Sequence, residues 1–176
     1  MHLRAVSIES LLEWDRRWTR RLNASVGVAP VRALLRLVSR LGDGVFWYSL
    51  MLAAVVTQGR AGLDMTLRML AAGILCLVIY KPIKSRTTRP RPYLALGDVR
   101  AGIAPLDAYS FPSGHTLHAV AFTLVAVADF PALVGVLVPF TLLVALSRVV
   151  LGLHYPSDVL AGAAIGAGVA LTVLAF

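Results

Sequence analysis

The chain has 176 residues, of which 58% are hydrophobic and only 15% are charged. A soluble domain usually carries about 25% charged residues, so the composition argues against a soluble bundle, in which too little polar sequence would remain to cover the apolar helices. The formal net charge of +8 favours anionic lipid or a phosphorylated substrate as partner in so apolar a chain, and no nucleic-acid partner is expected.

The first 43 residues are predicted to form amphipathic helices that lie in the headgroup region of a membrane. Residues 8–22 mix leucines and two tryptophans with acids and arginines. In VRALLRLVSRL, Arg32, Arg36 and Arg40 recur every fourth residue, which places them on one stripe of a helix. Tryptophan at the boundary and arginine on the polar face are typical of interfacial helices. A simple solvated arm is the alternative interpretation.

Five apolar segments follow, and we predict an all-α fold, a multi-pass transmembrane helical bundle of about five spans. The segments are residues 44–57, 67–80, 116–128, 131–150 and 159–176. A helix needs about 20 residues to cross the hydrocarbon core, so the first and third segments must borrow flanking residues or let the bilayer thin. The predicted domains are an interfacial arm at residues 1–43 and a transmembrane domain at residues 44–176.

Three polar segments interrupt the apolar sequence at residues 81–92, 110–115 and 147–158. The first follows the second predicted span, the second precedes the third span, and the third lies between the fourth and fifth spans. Counting spans therefore places all three at the same membrane face. Ionisable residues at a membrane boundary are costly, so function is the default interpretation.

The first two polar segments contain groups suited to an anion. In KSRTTRPRP, Lys84 and Arg91 could hold phosphate oxygens, because arginine binds them bidentately and lysine adds a point charge. Taken alone, this segment also fits an ordinary basic cytoplasmic loop. In FPSGHT, Ser113 is predicted to cap a helix, Gly114 permits close approach of a ligand, and His115 lies in the first helical turn, where free N–H groups attract anions.

The third polar segment, SRVVLGLHYPSD, combines a cation, an imidazole and a carboxylate. Asp158 follows His154 by four residues, so the carboxylate can take one imidazole N–H and leave the other ring nitrogen nucleophilic. Arg148 supplies a third cation. Gly152 is expected to end the helix of the fourth span, and Pro156 suits the first turn of the fifth.

Together, the three segments resemble the signatures of the type-2 phosphatidic acid phosphatase superfamily, which is related to the vanadium haloperoxidases. The signatures are K-x6-R-P, P-S-G-H and S-R-x5-H-x3-D. Here they are complete and in the family's order: Lys84-x6-Arg91-Pro92, Pro112-Ser113-Gly114-His115 and Ser147-Arg148-x5-His154-x3-Asp158. The resemblance spans residues 84–158 and the flanking helices, and three motifs of this length in register are specific.

The resemblance implies a membrane enzyme that dephosphorylates lipids through a phosphohistidine intermediate. His154 would attack phosphorus, Asp158 would orient it, and His115 would protonate the departing oxygen and then activate water. The implied phosphate ligands are Lys84, Arg91, Ser113, Gly114 and Arg148. Fixed cations would stabilise the transition state in place of a metal, so no metal ligands and no cofactor are expected.

The expected substrate is a lipid monophosphate or diphosphate. What small bacterial family members often do favours a polyprenyl diphosphate such as undecaprenyl diphosphate. Phosphatidic acid, phosphatidylglycerol phosphate and lipid A are the alternatives, and phosphotransfer between lipids shares the same motifs. A non-catalytic lipid-binding protein is a remote alternative, because His115, His154 and Asp158 are all present. A transporter fits the spans but not three phosphate-type motifs on one face.

The protein is expected in the cell (inner) membrane. Span parity puts 15 of the 17 basic residues on the side of the polar segments, and the positive-inside rule makes that side cytoplasmic. The resemblance favours the opposite orientation, because bacterial family members usually face outward. In the last span, Gly162 and Gly166 form a GxxxG pair, which predicts close packing inside a monomer or in a weak homodimer. His118 is interpreted as a packed or hydrogen-bonded histidine.

Overall fold

A computed structural model describes residues 8–105 and 107–176, and this part of the chain is helical, without a β-strand. Arg4, one of the 15 basic residues that span parity assigns to the side of the polar segments, lies outside the described residues. The helices are α1 (Ile8–Asn23), α2 (Ala29–Arg40), α3 (Phe46–Gln58), α4 (Arg60–Thr87), α5 (Pro92–Ala95), α6 (Gly114–Asp129), α7 (Val134–Val150) and α8 (Pro156–Leu174). Short 3₁₀ turns occupy Ala24–Gly27 and Pro131–Leu133, and a π-helical segment occupies Leu41–Val45.

Each predicted apolar segment coincides with a helix, namely α3, α4, α6, α7 and α8. The helix α4 has 28 residues and extends beyond the predicted segment at both ends. By length and composition, three helices in the described residues could cross a membrane: Arg60–Thr87, Pro131–Val150 and Pro156–Leu174. The helices α3 and α6 have only 13 and 16 residues, so a count of five spans stays a prediction.

The helix α6 lies at the centre of the bundle and packs against α4, α7 and α8. Seven of its 16 residues are buried, and its Ala119 and Ala121 are completely so. The Thr123 and Thr141 hydroxyls lie 2.6 Å apart and join α6 to α7. Protein rather than lipid therefore covers much of α6, which explains how so short an apolar helix is accommodated.

The helices α6 and α8 approach most closely at two glycines. A Cβ atom added to Gly162 would lie 2.6 Å from the Ser113 carbonyl oxygen, and one added to Gly166 would lie 2.3 Å from the Leu117 carbonyl oxygen. Small residues allow this backbone contact. The GxxxG pair is thus used inside the monomer, and a homodimer through the last span stays a prediction.

The helix α1 docks onto the bundle through a narrow stripe of polar residues. Asp15, Thr19 and Asn23 recur every fourth residue and are buried. The Asn23 amide donates to the carbonyl oxygens of Val150 (2.9 Å) and Arg100 (2.8 Å). Large apolar side chains beside this stripe are exposed, as those of an interfacial helix would be towards lipid: Ile8, Leu11, Leu12, Trp14 and Trp18. The boundary of the arm at residue 43 stays a prediction.

The π-helical segment that joins α2 to α3 contains a kink at Gly44, where the backbone is not helical. A Cβ atom on Gly42 would lie 3.1 Å from the Val144 side chain of α7. Gly44 has a φ of 143°, which side chains rarely adopt. These two glycines flank Asp43, which lines the main cavity of the protein.

Candidate active site

The three polar segments meet at one end of the bundle, around a cavity of about 490 Å³. Six of the eight residues predicted from the sequence line it: Lys84, Arg91, Gly114, His115, Arg148 and His154. The other two, Ser113 and Asp158, are completely buried behind the cavity wall. The three segments therefore lie at the same end of the bundle, and their position at one membrane face stays a prediction.

The start of α6 brings Gly114 and His115 to the cavity. Ser113 precedes the helix, and among the described residues its hydroxyl pairs with the Thr116 hydroxyl, at 3.0 Å, instead of capping a backbone N–H. The Ser113 N–H donates to the Asp158 carbonyl oxygen at 3.0 Å, which ties α6 to the first turn of α8. A phosphate contact from Ser113 stays a prediction. Nδ1 of His118 donates to the Gly114 carbonyl oxygen at 2.9 Å, as the interpretation of a hydrogen-bonded histidine required.

His154 lies in the short connection between α7 and α8, and the predicted joint is confirmed. The helix α7 ends at Val150, and Gly152 follows with a φ of 72°. A Cβ atom at Gly152 would lie 2.6 Å from the Arg100 carbonyl oxygen, so glycine is required there by space as well as by conformation. The helix α8 begins at Pro156.

The ring of His154 lies between a cation and a carboxylate. Its Nε2 is 3.2 Å from Nη1 of Arg91. Because a guanidinium can only donate, Nε2 accepts this bond and carries the lone pair. The other ring nitrogen, Nδ1, lies 3.7 Å from Oδ2 of Asp158, which is beyond hydrogen-bonding distance. The predicted carboxylate is thus adjacent to the imidazole, but the predicted hydrogen bond from the imidazole N–H is not formed, and Nδ1 has no hydrogen-bond partner among the described residues.

The environment of His154 favours the neutral imidazole. Complete burial, and then the positive charges of Arg148, Arg91 and Lys84, lower the pKa of His154 well below its ordinary value of 6.5. A histidine held neutral at pH 7 keeps a lone pair available for attack on phosphorus.

Asp107, in the connection before α6, binds two of the predicted phosphate ligands. Its carboxylate oxygens lie 2.7 Å from Nζ of Lys84 and 2.7 Å from Nη2 of Arg91. Partial burial opposes ionisation, but these two ion pairs prevail and lower the pKa of the Asp107 carboxyl. A carboxylate that bridges two cations occupies the kind of position that a phosphate would take.

The end of α2 and the π-helical segment supply two further polar contacts. The carboxylate of Asp43 contacts Nε2 of His115. The Ser39 hydroxyl accepts a hydrogen bond from Nη1 of Arg148. Sequence reasoning missed both residues, because they lie far along the chain from the motifs. A carboxylate between two glycines, in LGDGV, was the only local pattern that could have drawn attention to Asp43.

Arg89 also escaped sequence reasoning, although it lies inside the first motif. Its Nη1 is 2.6 Å from Oδ1 of Asp158, and its Nη2 is 2.7 Å from Oδ2 of Asp15 on α1. The sequence offered only an unassigned cation two residues before Arg91.

The rest of the cavity is apolar and lies between α3, α4 and α6. Its wall includes Trp47, Met51, Leu70, Ile74, Leu77 and Phe122. Ile74 is 64% exposed although it lines the cavity, so the apolar part opens sideways from the bundle. Among the described residues, no group of three or more histidines, cysteines, aspartates and glutamates could hold a metal ion.

A cationic centre around a neutral histidine, joined to an apolar groove in a bundle of membrane-spanning length, defines a membrane phosphatase that acts on lipids. The chain belongs to the PAP2 superfamily, whose family model matches residues 61–176. It is 28% identical over 166 residues to the lipid A 1-phosphatase of Rhizobium johnstonii, across 83% of this chain and 68% of the relative.

Two solved structures share the fold. The Aquifex aeolicus LpxE structure superposes with a TM-score of 0.81 at 24% identity and covers 93% of this chain and 96% of that one. The PAP2-type phosphatidylglycerolphosphate phosphatase from Bacillus subtilis gives a TM-score of 0.70 at 23% identity, with coverage of 97% and 88%. The transmembrane helical architecture predicted from the sequence is therefore confirmed.

Proposed function

We propose that this enzyme removes a phosphate monoester from a bilayer lipid, with a 1-phosphate of lipid A as the first candidate substrate. The observation that carries the proposal is the two-part cavity. Lys84, Arg91 and Arg148 meet His154 at its polar end, and an apolar groove leads sideways from it. A phosphate could enter the polar end while the chains of the lipid stay along α3 and α4.

The choice among lipids rests on the relatives. One is a lipid A 1-phosphatase at 28% identity, and one structural neighbour is a phosphatidylglycerolphosphate phosphatase, which makes that lipid the second candidate. Undecaprenyl diphosphate, favoured above from the resemblance, is not the substrate in either name and enters the test as a competitor.

In the proposed mechanism, Nε2 of His154 attacks phosphorus while the P–O bond to the lipid breaks. Arg91 turns from Nε2 to a phosphoryl oxygen when the substrate binds. The imidazole becomes cationic as it bonds to phosphorus, and the charge of Asp158 stabilises it. His115 gives its proton to the departing oxygen, then takes one from the water that attacks the phosphohistidine, which releases phosphate and restores both histidines.

Three fixed cations can stabilise the charge on the transferring phosphoryl group without a metal. We expect activity to persist in EDTA and to be inhibited by vanadate, which imitates the trigonal-bipyramidal phosphoryl group. Loss of activity in EDTA that Mg²⁺ or Mn²⁺ specifically restores would contradict this expectation.

The test is phosphate release from a panel of lipids in mixed micelles: lipid A, phosphatidylglycerol phosphate, phosphatidic acid and undecaprenyl diphosphate. The highest kcat/KM is expected for lipid A, and His154→Ala should abolish turnover of every lipid. A clear preference for undecaprenyl diphosphate would overturn the substrate assignment. Turnover by His154→Ala within about tenfold of wild type would overturn the covalent mechanism.

The groove can be tested with a matched pair of variants. Ile74 and Val78 are both 64% exposed on α4, but only Ile74 lines the cavity. Ile74→Trp should narrow the groove and raise KM several-fold for long-chain lipids, while Val78→Trp should leave KM near the wild-type value. Equal effects of the two substitutions would show that lipid chains do not use this groove.

A further inference from the structure

A buried network joins α1 to the carboxylate beside His154. Asp15 accepts the Ser157 backbone N–H at 2.9 Å through Oδ1, and its Oδ2 is 2.7 Å from Nη2 of Arg89. The Nη1 atom of Arg89 donates to Oδ1 of Asp158 at 2.6 Å and to the Ser157 hydroxyl at 2.8 Å. Asp15 and Asp158 are 1% and 0% exposed, so neither carboxylate relies on water for its partners.

The network also fixes the backbone around His154. The guanidinium of Arg89 lies 4.1 Å from the ring centre of Tyr155, which follows His154 directly. Asp15 binds the second residue of α8, and a carboxylate at a helix N-terminus is stabilised by the free N–H groups and the helix dipole. The first turn of α8 carries Asp158, so α1 and Arg89 hold the two ends of the segment between Tyr155 and Asp158.

Arg89 is also the group that satisfies the free oxygen of Asp158. Oδ2 of Asp158 accepts the Tyr155 N–H at 2.8 Å, and Oδ1 takes the short ion pair with Arg89. A buried carboxylate that loses its cation is strongly disfavoured, and it rotates, protonates or draws in water. Two carboxylates raise the pKa of Arg89 despite its partial burial, so its charge is permanent.

We propose that Arg89 and Asp15 are positioning residues, which act on His154 through Asp158 by keeping that carboxylate ionised and aimed at Nδ1. The interfacial helix α1 then helps to hold the charge that stabilises the cationic imidazole during phosphoryl transfer. This inference rests on the proposed function, in which His154 becomes cationic as it bonds to phosphorus.

The proposal predicts that substitutions in the network lower kcat and leave KM unchanged. Arg89 and Asp15 do not line the cavity, whereas the three cations proposed to bind phosphate, Lys84, Arg91 and Arg148, do. Arg89→Gln should therefore lower kcat by about tenfold to a hundredfold, comparable to the loss when the partner that orients a metal-bound histidine is removed, and leave KM near the wild-type value. Arg89→Lys, which keeps the charge, should recover part of kcat. Asp15→Asn, an isosteric change, should lower kcat by a smaller factor.

A matched control removes the other ion pair of α1. Arg20 on α1 and Asp98 lie 2.7 Å apart, with side chains 49% and 60% exposed, away from the cavity. Asp98→Asn weakens the attachment of α1 without touching the network, so its kcat should match wild type. If Asp98→Asn and Asp15→Asn lowered kcat equally, weaker packing of α1 against the bundle would explain the loss, and the proposal would be wrong.

The experiment measures kcat and KM for the purified wild type and five single variants: Arg89→Gln, Arg89→Lys, Asp15→Asn, Asp98→Asn and Asp158→Asn. For each protein, a rise in Tm on addition of vanadate would show that the phosphate site is intact. Arg89→Gln combined with Asp158→Asn should be no worse than Asp158→Asn alone, because both act through one carboxylate. Additive losses, or an Arg89→Gln variant with unchanged kcat, would overturn the proposal. If Arg89→Gln does not fold, Asp15→Asn takes its place, and an unchanged kcat for Asp15→Asn would overturn the proposal. A wild type without phosphatase activity would instead refute the proposed function.

Discussion

At the scale of the residue, Asp107 and a substrate phosphate require the same two cations. The Asp107 carboxylate bridges Lys84 and Arg91 and is 42% exposed, so it can be displaced. Because the carboxylate is partly exposed, water already competes for Asp107, and a bound phosphate can replace it as the partner of the two cations. We expect Asp107→Asn to lower KM and the vanadate inhibition constant a few-fold, with kcat little changed.

Steady-state kinetics with and without vanadate would check this expectation. The matched control is Asp64→Asn, which removes an exposed ion pair with Arg60 away from the cavity and should alter neither constant. A rise in KM for Asp107→Asn would mean that Asp107 holds the two cations in place for the substrate.

A second prediction for a single residue concerns His154 and the pH dependence of the stability of the folded protein. Its pKa in the folded protein lies well below 6.5, while the unfolded chain titrates near the ordinary value of about 6.5. As the pH falls below that value, the unfolded state binds a proton that the folded state does not, so stability is lost until the folded-state pKa is reached.

Thermal unfolding in detergent at several pH values between 8 and about 5 would measure this loss. Wild type should lose more of its Tm over the range than His154→Gln, which has no imidazole at this position. Parallel curves for the two proteins would contradict a depressed pKa at His154.

The motif residues of the site were predictable from the sequence because each type has one evident chemistry. Lys84, Arg91 and His154 stand out as polar groups in an apolar chain, and all three line the cavity. Asp43 and Asp107 were not predictable, because their partners lie far away in the sequence or in an irregular connection. Their contacts depend on the tertiary fold, which spacing alone does not reveal.

At the scale of the element, the contact between α6 and α8 gives a stability prediction. Gly166→Ala would place a methyl group 2.3 Å from the Leu117 carbonyl oxygen, whereas a Cβ at Gly168 meets nothing within 4 Å. Overpacking of this kind costs about 1–3 kcal/mol, so Gly166→Ala should lower Tm clearly. Gly168→Ala should leave Tm unchanged or raise it slightly, since alanine favours the helix.

Unfolding of the two variants in the same detergent would check the comparison. Equal Tm values for Gly166→Ala and Gly168→Ala would mean that α8 moves away from α6 at little cost. The activity of Gly166→Ala is also informative, because Asp158 is in the first turn of α8.

Most helices were predictable because apolar runs of this length have few alternatives. The orientation of α1 was only partly so: its large apolar side chains are exposed as expected, but nothing in the pattern indicated that Asp15, Thr19 and Asn23 beside them would be buried. A buried polar stripe needs partners from other elements, here the turn before α5 and the start of α8. Those partners are visible only after the chain has folded.

At the scale of the whole molecule, the site and α1 share one end of the bundle, and the turn between α3 and α4 lies towards the other. Arg20 pairs with Asp98 at the site end, and Arg68 pairs with Asp129 near the far end of α6. The positive-inside rule predicts a cytoplasmic site, because most of the basic residues belong to the site end.

Cysteine labelling would test the orientation in a Cys76→Ala background, since Cys76 is the only cysteine in the chain. Gly27→Cys, between α1 and α2, reports the site end, and Gln58→Cys, at the end of α3, reports the other. With a membrane-impermeant maleimide on intact cells or spheroplasts, Gln58→Cys should be labelled and Gly27→Cys protected. The reverse pattern would place the site on the outer face.

The sideways opening of the cavity has a consequence for how the enzyme meets its substrate. A lipid that entered through this opening would never leave the bilayer, so encounters would occur by diffusion in two dimensions. The relevant concentration is then the mole fraction of substrate in the surface, and the molarity in bulk water has no direct influence. Adding inert detergent at constant total substrate should slow turnover by surface dilution, as it would for any enzyme that draws its substrate from the plane of the membrane.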